Sequence, residues 1–400
     1  MTLPLIIRRS LRQHAFSTAI TALAIALAGG LLMSVWVVKE QAQKTFTQVN
    51  TGFDAVLGAR SSKLQLVLNA IFHLEASPGN VALADYEFIK KHPAVKLAIP
   101  IAVGDNLRGF RIVGTLPEFF KSVEYVPGKK FALTAGQFFD PAEKEAVLGD
   151  FAAHKLGLKV GDEFHPFHGL IYDEKEQHAE TYRVVGVLAA SNTPADKVVW
   201  IPIEGLQTMK GHDPRLATDV SAVLIQLRSP AAGLMLDLMY NKQGNRLTFA
   251  FPIGAIMAEL FQKIGWFDQV LTLVAYLVAL VSAAGVLAAI YNSMGARRRD
   301  IAILRALGAG RLLLFGAIVI EAAVIGALGM VVAFGIYAAI VSAVAVVIRA
   351  QTGVLIEAFA YSPIMLWAPL GMIALCALCG LLPAWKAYRT DVAENLAPLS

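Results

Sequence analysis

Hydrophobic residues are concentrated in four long runs, and a more polar stretch separates the first run from the other three. The runs are Phe16–Val38, Gln269–Met294, Leu312–Ile348 and Pro363–Leu382. Each is nearly free of charge, and a helix needs about 20 such residues to cross a hydrocarbon core about 30 Å thick. They are too long to be strands of a soluble core. The pattern therefore predicts a membrane protein with four transmembrane α-helices.

The stretch between Glu40 and Asp268 has a different periodicity. Short segments with β-branched residues at every second position predict strands at 109–114, 146–149, 181–188 and 222–227. Helical segments lie between them at Leu83–His92, Phe151–Leu156 and Glu204–Met209. The sequence thus predicts a large mixed α+β extracytoplasmic domain between the first and second transmembrane helices.

Two further apolar segments, Leu64–Leu74 and Phe249–Phe267, lie near the edges of this domain. They either belong to the hydrophobic core of the domain, or line a hydrophobic cleft beside the outer leaflet that a lipid-like substrate would enter. The sequence leaves both readings open.

Composition agrees with a chain that is solvated partly by lipid and partly by water. Of the 400 residues, 56% are hydrophobic and 16% are charged, and the mean hydropathy is +0.58. The two cysteines, Cys376 and Cys379, both lie in the last apolar run, so the middle domain cannot contain a disulfide. We interpret them as small hydrophobic residues without redox or metal chemistry.

Basic residues predict the orientation. Of the 11 Lys and Arg outside Lys39–Lys263, ten lie on one side of the membrane if the four spans alternate, and only Arg349 lies on the other. The positive-inside rule then places both termini and the 295–311 loop in the cytoplasm. The 39–263 window holds 24 basic and 24 acidic residues, so the net charge of +5 is a topology signal and does not indicate nucleic-acid binding.

Residues 295–309, with the sequence GARRRDIAILRALGA, resemble the signature that follows the second span of FtsX-like permeases. The segment Pro383–Ala387 is similar to the closing segment of that family. Within the middle domain, 112–120, 147–150, 155–162, 182–187 and 200–202 resemble the periplasmic domain of MacB-type proteins. The chain is therefore similar, over most of its length, to permease subunits of MacB/FtsX/LolC-type ABC transporters.

This resemblance implies a permease that pairs with a second copy, as a homodimer, and rests on two copies of a cytoplasmic ABC ATPase. A short helix at 295–311 would contact each ATPase. Ile301, Leu304 and Leu307 recur at helical spacing and would form its apolar face. Basic residues would hold the helix at the membrane surface, namely Arg297, Arg298, Arg299 and Arg305. From the charges alone, the loop could instead serve only to set topology.

No Gly-x-x-x-x-Gly-Lys-Ser/Thr loop occurs in the sequence, so we expect no nucleotide-binding site and no enzymatic activity in this chain. It departs here from MacB itself, in which an ATPase is fused ahead of the first span, and resembles the split organisation of the LolC/LolE and FtsX branches. We expect no cofactor in this chain, with ATP and Mg bound by the partner ATPase.

Two groups of polar residues are candidates for function. Glu321 lies inside the third apolar run, where an ionised group is costly, so it needs a partner such as Arg305 or a position at headgroup depth. His165, His168 and His178 lie among acidic residues in what reads as a hairpin loop. They are weak metal-ligand candidates, because their spacing matches no closed zinc motif and a solvated polar turn explains them as well.

The predicted organisation is a cytoplasmic amphipathic helix at 1–15 followed by the first span and the domain. Residues 1–15 are read as this helix and not as a cleaved leader, because the apolar region is long and no small-x-small site follows. The later boundaries are span 1 at 16–38, the MacB-like domain at 39–268, span 2 at 269–294, the coupling helix at 295–311, span 3 at 312–348, a short periplasmic loop at 349–362, span 4 at 363–383 and a cytoplasmic tail at 384–400.

The leading functional hypothesis is mechanotransmission in a bacterial inner membrane. ATP binding by the partner would move the coupling helices and rearrange the periplasmic domains, which would act on a lipid-like, lipoprotein, peptide or drug substrate, with or without a periplasmic adaptor. One alternative is an FtsX-like regulatory protein that activates a periplasmic partner. Another is metal-linked transport through the histidine loop.

Overall fold

The computed structural model describes residues 3–48, 52–212, 214, 217–306, 309–354, 357 and 360–389, and for 292–306 it describes the backbone alone. The chain divides into two compact units. We call the first the helical unit; it consists of Met1–Gln41, Ile264–Ala345 and Glu357–Ser400. We call the second the sheet domain; it consists of Ala42–Lys263 and Val346–Ile356.

Helices and strands are numbered in chain order over the described residues. The helices are α1 Leu3–Gln13, α2 Ala15–Gln48, α3 Lys63–Ala70, α4 Leu83–Lys90, α5 Glu118–Ser122, α6 Asp150–Leu156, α7 Ile203–Gln207, α8 Pro230–Asp237, α9 Ile253–Lys263, α10 Gly265–Ala306, α11 Arg311–Thr352 and α12 Ile364–Arg389. The strands are β1 Ala55–Ala59, β2 Val95–Leu107, β3 Phe110–Thr115, β4 Glu124–Val126, β5 Lys129–Lys130, β6 Leu133–Gly136, β7 Glu145–Leu148, β8 Glu163–Phe164, β9 Phe167–His168, β10 Tyr182–Leu188, β11 Val199–Pro202, β12 Ala222–Leu227 and β13 Leu247–Ala250.

Four helices are long and apolar enough to cross a membrane, namely α2, α10, α11 and α12. The prediction of four spans with a domain between the first and the second is therefore confirmed. Helices α2, α10 and α11 extend beyond the apolar runs that predicted them, because the flanking residues form helix and carry no proline. Helix α12 also extends beyond its run, through Pro383 to Arg389.

The expected separate helix at 295–311 is not a separate element. Helix α10 continues without interruption from Gly265 to Ala306, so the arginine-rich segment extends the second span. Gly295 alone does not break it, since one glycine in a helix costs only about 1 kcal/mol relative to alanine. Leu307 and residue 308 lie outside the described residues.

Close helix packing in the helical unit depends on glycines. A Cβ added at Gly329 of α11 would lie 2.6 Å from Ile25 Cγ2 of α2, and one added at Gly29 would lie 2.5 Å from the sulfur of Met330. Gly326 packs in the same way against Cys376 of α12, whereas Gly335 has nothing within 4 Å. Small residues allow helices in lipid to approach closely and gain dispersion contacts.

The sheet domain is built on one mixed sheet of eleven described strands. Its main path runs β13-β1-β12-β2-β3-β11-β7-β10-β6, with β8 paired to β10 and β9 paired to β2. The β3–β11 and β7–β10 pairs are parallel and the remaining pairs are antiparallel. The predicted strands at 109–114, 146–149, 181–188 and 222–227 all form within one residue of their expected bounds.

Both faces of this sheet are buried. Alternate residues of one strand enter two separate cores, as with Leu57 in the first and Val56 in the second. The first core is covered mainly by α4 and α7, and the second by α3, α5 and α9. Most of Leu64–Leu74 lies in the second core, as do Ala250, Ile253, Ile256 and Met257, which favours ordinary core over a hydrophobic cleft for 64–74 and 250–257. Ile264, Trp266 and Phe267, at the end of the second segment, are exposed.

Candidate functional site

One cluster of polar side chains in the sheet domain has the character of a binding site. It begins at Asp105, near the end of β2. The register of β2 against β3 shifts between Val103 and Asp105, with Gly104 at the irregularity. A bulge of this kind turns the next side chain to a different direction. Asp105 is consequently fully buried, although it is a carboxylate on a strand.

His168 is held beside Asp105 by strand pairing. The short strand β9 adds to the edge of β2, so that Asp105 is paired with His168 and Asn106 with Phe167. The Nδ2 of Asn106 donates a hydrogen bond to the carbonyl of Gly169, at 2.9 Å, and its Oδ1 accepts from the Gly109 amide, at 3.0 Å. Asn106 thus fixes the loop that follows His168.

His178 and His212 come from two other loops, and a backbone carbonyl orients each ring. His178 Nδ1 lies 2.9 Å from the Lys210 carbonyl, and His212 Nδ1 lies 2.9 Å from the Leu206 carbonyl. Because a carbonyl oxygen can only accept, each Nδ1 must carry its proton. The Nε2 atom of each ring is therefore directed into the cluster.

The three imidazoles converge on one oxygen. Asp105 Oδ1 lies 3.4 Å from His168 Nδ1, 3.4 Å from His178 Nε2 and 3.2 Å from His212 Nε2. The ring centroids are 5.2 to 5.4 Å apart. One potential ligand atom from each of the four residues lies within 4.8 Å of all the others. Asp105 Oδ2 is buried and has no hydrogen-bond partner.

This arrangement requires positive charge. A buried carboxylate is stable only when it is paired or bound to a cation. The hydrogen bond to Asp105 raises the pKa of His212, so a proton can supply part of that charge. Protonating all three rings would, however, place three like charges side by side. The chemistry that fits this donor set is binding of a cation by imidazole nitrogen and carboxylate oxygen.

The cluster opens into a cavity of about 340 Å³. His168 and His212 line the cavity together with Gly211, whereas Asp105 and His178 lie behind them. The side chain of His168 is 48% exposed, that of His212 19% and that of His178 6%. An ion could therefore reach the cluster from solvent past His168.

The histidines predicted from sequence are separated by the fold. His168 and His178 enter the cluster, whereas His165 Nδ1 bonds to the Glu180 carbonyl, at 3.0 Å, and His165 lies outside the four-residue group. The expected hairpin is present, since β8 pairs antiparallel with β10 and Phe167 forms an antiparallel bridge with Gln177. Strands β8 and β9 are nevertheless separate, because β9 pairs with β2. Pro166 between them has no amide hydrogen for a ladder hydrogen bond.

Asp105 and His212 were not among the predicted site residues. They lie 63 and 44 residues from His168 along the chain and belong to no spacing motif. The only local signal was a carboxylate within an otherwise strand-like segment, next to Gly104 and Asn106.

In the helical unit, Glu321 is buried on α11 and accepts a hydrogen bond from the hydroxyl of Ser10 on α1. The sequence had suggested Arg305 as a partner, and the Arg305 side chain lies outside the described residues. The same is true of the other proposed coupling side chains, namely Arg297, Arg298, Arg299, Ile301, Leu304 and Leu307. Their assignment stays a prediction.

Two family models match the chain. Residues 18–233 match the MacB-like periplasmic core domain, and residues 272–392 match the FtsX-like permease C-terminal domain. The first match alone covers more than half of the chain. The protein is a MacB/FtsX-type ABC transporter permease.

Two solved structures are similar to part of this MacB/FtsX-type permease. One is the extracellular domain of the noncanonic ABC-type transporter YknZ from Gram-positive bacteria, with 16% identity, a TM-score of 0.30, and 49% of this chain and 99% of that chain covered. The other is the periplasmic region of MacB from Actinobacillus actinomycetemcomitans, with 12% identity, a TM-score of 0.35, and coverage of 55% and 94%. Both TM-scores are below 0.5, so the family assignment rests on the family models. No curated protein sequence matches the chain.

As a member of this family, the permease is a transmembrane subunit of an ABC transporter, and the family acts with a cytoplasmic ATPase. Its long apolar helices agree with a membrane protein. The histidine and aspartate cluster lies within the stretch matched by the MacB-like domain model.

Proposed function

We propose that this permease couples ATP hydrolysis by a separate ATPase to a conformational change of its sheet domain, by mechanotransmission in a bacterial inner membrane. In this proposal both termini are cytoplasmic and the sheet domain is periplasmic. Two permease copies, as a homodimer, would rest on two ATPase subunits that bind ATP and Mg. The permease itself would hold no cofactor for hydrolysis and would not be an enzyme.

The observation that supports this proposal most directly is the C-terminal end of helix α11. Its last residues, from Val346 onward, belong to the sheet domain. There Arg349 lies 3.5 Å from Asp150 Oδ2 and packs over the Phe151 ring, and Lys197 Nζ donates to the Gln351 carbonyl, at 2.6 Å. A span whose end is bonded to the domain can transmit a displacement, provided that the contacts differ between two states.

Polar groups on the described parts of the spans favour mechanical transmission and not a hydrophilic path for substrate through the membrane. Thr21 Oγ1 and Ser34 Oγ donate to the carbonyls of Ser17 and Gly30, each four residues earlier in the same helix. Hydroxyls bonded in this way need no water as a partner, and both residues are buried. We therefore propose that substrate is handled at the outer leaflet or in the periplasm, and that it is a lipid, a lipoprotein, a hydrophobic peptide or a drug.

The test is ATPase activity of the permease reconstituted with its ATPase, comparing wild type with Leu304→Asp. If residues 301–307 contact the ATPase through an apolar face, the charge should abolish assembly or lower the stimulated ATPase rate at least tenfold. Ala302→Asp is the matched control, because helical spacing places it away from the Ile301–Leu304–Leu307 stripe.

Equal effects of the two substitutions would exclude this face as the contact. Failure of the wild-type permease to bind any ABC ATPase would exclude the proposed coupling altogether.

A further inference from the structure

The inference concerns the cluster formed by Asp105, His168, His178 and His212, which we call the His3Asp cluster. We infer that the His3Asp cluster is a binding site for one divalent transition-metal ion, with Zn²⁺ as the ion that fits best. The inference is independent of the ATPase and of the transported substrate.

The distances from Asp105 Oδ1 to the three imidazole nitrogens match those between ligands of a tetrahedral ion, and all four ligand atoms lie within 4.8 Å of one another. Zinc binds imidazole nitrogen and carboxylate oxygen at about 2.0 to 2.2 Å, which places neighbouring ligand atoms of a tetrahedron about 3.3 Å apart. The three observed separations from Asp105 Oδ1 are 3.2, 3.4 and 3.4 Å. The donor atoms already converge as an ion would require.

The groups behind the ligands are also those of a metal site. A metal-bound histidine usually donates its second ring nitrogen to a carbonyl or carboxylate, which fixes the tautomer and the ring plane. His178 and His212 make this hydrogen bond, to the Lys210 and Leu206 carbonyls. Both Nε2 atoms consequently face a carboxylate oxygen, an arrangement that is favourable only with a proton or a metal ion between nitrogen and oxygen.

The unpartnered oxygen of Asp105 adds an independent observation. Asp105 is fully buried, and its Oδ2 has no hydrogen-bond partner. A buried polar atom without a partner costs roughly 1 to 3 kcal/mol. A metal held by this carboxylate would remove much of that cost, since the charge of the ion acts on both oxygens.

Donor chemistry selects the class of metal. Three imidazoles and one carboxylate suit Zn²⁺ and related ions such as Ni²⁺ or Cu²⁺, whereas Mg²⁺ and Ca²⁺ prefer oxygen ligands throughout. Four protein ligands complete a tetrahedral shell and leave no open position. The site therefore belongs to a resident ion with a structural or sensing role and not to a catalytic ion or a transported one.

A bound ion would join three segments that are distant in sequence. They are the end of β2, the 165–178 loop and the loop that follows α7. Among the described residues, His178 Nδ1 bonds to the Lys210 carbonyl of the second loop, at 2.9 Å, and the Lys210 amide donates to Glu180 Oε1, just after the first loop, at 3.2 Å. Metal binding should slow hydrogen exchange in both loops and raise the melting temperature of the protein.

The experiment uses the full chain in detergent, without a histidine tag and stripped by a chelator. Zn²⁺ is titrated against a chromophoric competitor, and bound metal is counted by mass spectrometry. We expect one Zn²⁺ per chain with a sub-micromolar Kd, and no competition by millimolar Mg²⁺. Replacing a ligand should weaken binding at least about 100-fold, since loss of a supporting group alone costs 10- to 100-fold.

The ligand variants are His168→Gln and His212→Gln, both at positions that are not fully buried. The matched control is His165→Gln, which changes a histidine of the same loop outside the His3Asp cluster. Gel filtration and circular dichroism establish that each variant is folded. Co²⁺ in place of Zn²⁺ adds a spectroscopic readout, because a tetrahedral His3Asp site gives strong visible absorption that His168→Gln and His212→Gln should lose.

Retention of wild-type affinity in His165→Gln with its loss in His168→Gln and His212→Gln supports the site. Absence of sub-micromolar Zn²⁺ binding to the wild-type chain overturns the inference. The inference is also overturned if His165→Gln, His168→Gln and His212→Gln all lose Zn²⁺ affinity equally, or if all three retain it. None of these results bears on whether an ATPase associates with the permease.

Discussion

At the scale of single residues, buried polar groups in the sheet domain connect its stability to pH. The Nδ1 atom of His73 is enclosed without a hydrogen-bond partner, and its ring packs edge-on against Trp200 at 5.9 Å between centroids. Burial lowers the pKa of His73 to about 3, and the positive charge of Arg111 acts in the same direction. The folded domain therefore holds His73 neutral.

The first prediction concerns the pH dependence that follows. In the unfolded chain His73 has a pKa of about 6.5, so between pH 6.5 and 3 the unfolded state binds a proton that the folded state does not. Stability is lost as pH falls through this window, by at most about 1.4 kcal/mol per pH unit from His73. His73→Asn removes the titrating group, and asparagine tolerates the left-handed backbone at φ 54°.

The melting temperature of the full chain, measured between pH 6.5 and 5, should therefore fall less steeply in His73→Asn than in wild type. The difference should be a few degrees, since about 1 kcal/mol corresponds to 2 to 4 °C for a domain of this size. His154→Asn, at an exposed histidine of the same domain, should keep the wild-type slope. An unchanged slope in His73→Asn would contradict the prediction.

At the scale of elements, the contact between α2 and α11 is specified by glycine. A Cβ at Gly329 would meet Ile25 at 2.6 Å and the carbonyl oxygen of Ala22 at 2.9 Å. The second contact is with backbone and cannot be relieved by a rotamer change. Gly335 lies on the same helix with nothing within 4 Å. The two glycines are thus a matched pair.

The second prediction uses this pair. Gly329→Ala should destabilise the helical unit by roughly 1 to 3 kcal/mol, because overpacking forces the two helices apart. Gly335→Ala should be neutral or stabilising by up to about 1 kcal/mol, because alanine is the better helix former. The measurement is the melting temperature in detergent. Similar shifts in the two variants would show that the close contact does not limit stability.

At the scale of the whole molecule, the proposed transmission would depend on the end of α11. Among the basic residues outside Lys39–Lys263, Arg349 is the one that the orientation argument placed on the far side of the membrane, and in the structure it is paired with Asp150 of the sheet domain. Its position is thus explained by an ion pair and a contact with Phe151 instead of by topology.

The third prediction is that in Arg349→Ala the sheet domain no longer responds to ATP binding by the ATPase. Hydrogen exchange of residues 147–157 in the assembled transporter should change on addition of ATP, and the change should shrink at least several-fold in Arg349→Ala while ATPase assembly is retained. Arg183→Ala is the matched control, since Arg183 pairs with Glu145 at 3.2 Å elsewhere in the same domain. A wild-type change in hydrogen exchange on addition of ATP in Arg349→Ala would contradict transmission through this ion pair.

Hydrophobic patterning in the sequence by itself determined the four spans, the place of the domain between the first two, and most of its strands and helices. These features follow from local periodicity, because a membrane helix and a half-buried strand each impose a repeat on neighbouring residues. The glycines of α11 were also visible, although their partners on α2 and α12 were not. The family resemblance rested on contiguous segments, such as 295–309, and was confirmed.

Only the tertiary structure decided which polar residues meet. Asp105, His168, His178 and His212 become neighbours because β9 pairs with the edge of β2 and because the loop after α7 folds back to the same place. Contacts between residues tens of positions apart leave no periodic trace in one sequence. The same holds for Ser10 with Glu321 and for Arg349 with Asp150. Secondary structure follows from the hydrophobic periodicity of the sequence. The polar cluster forms only where the chain reverses direction and brings distant segments together.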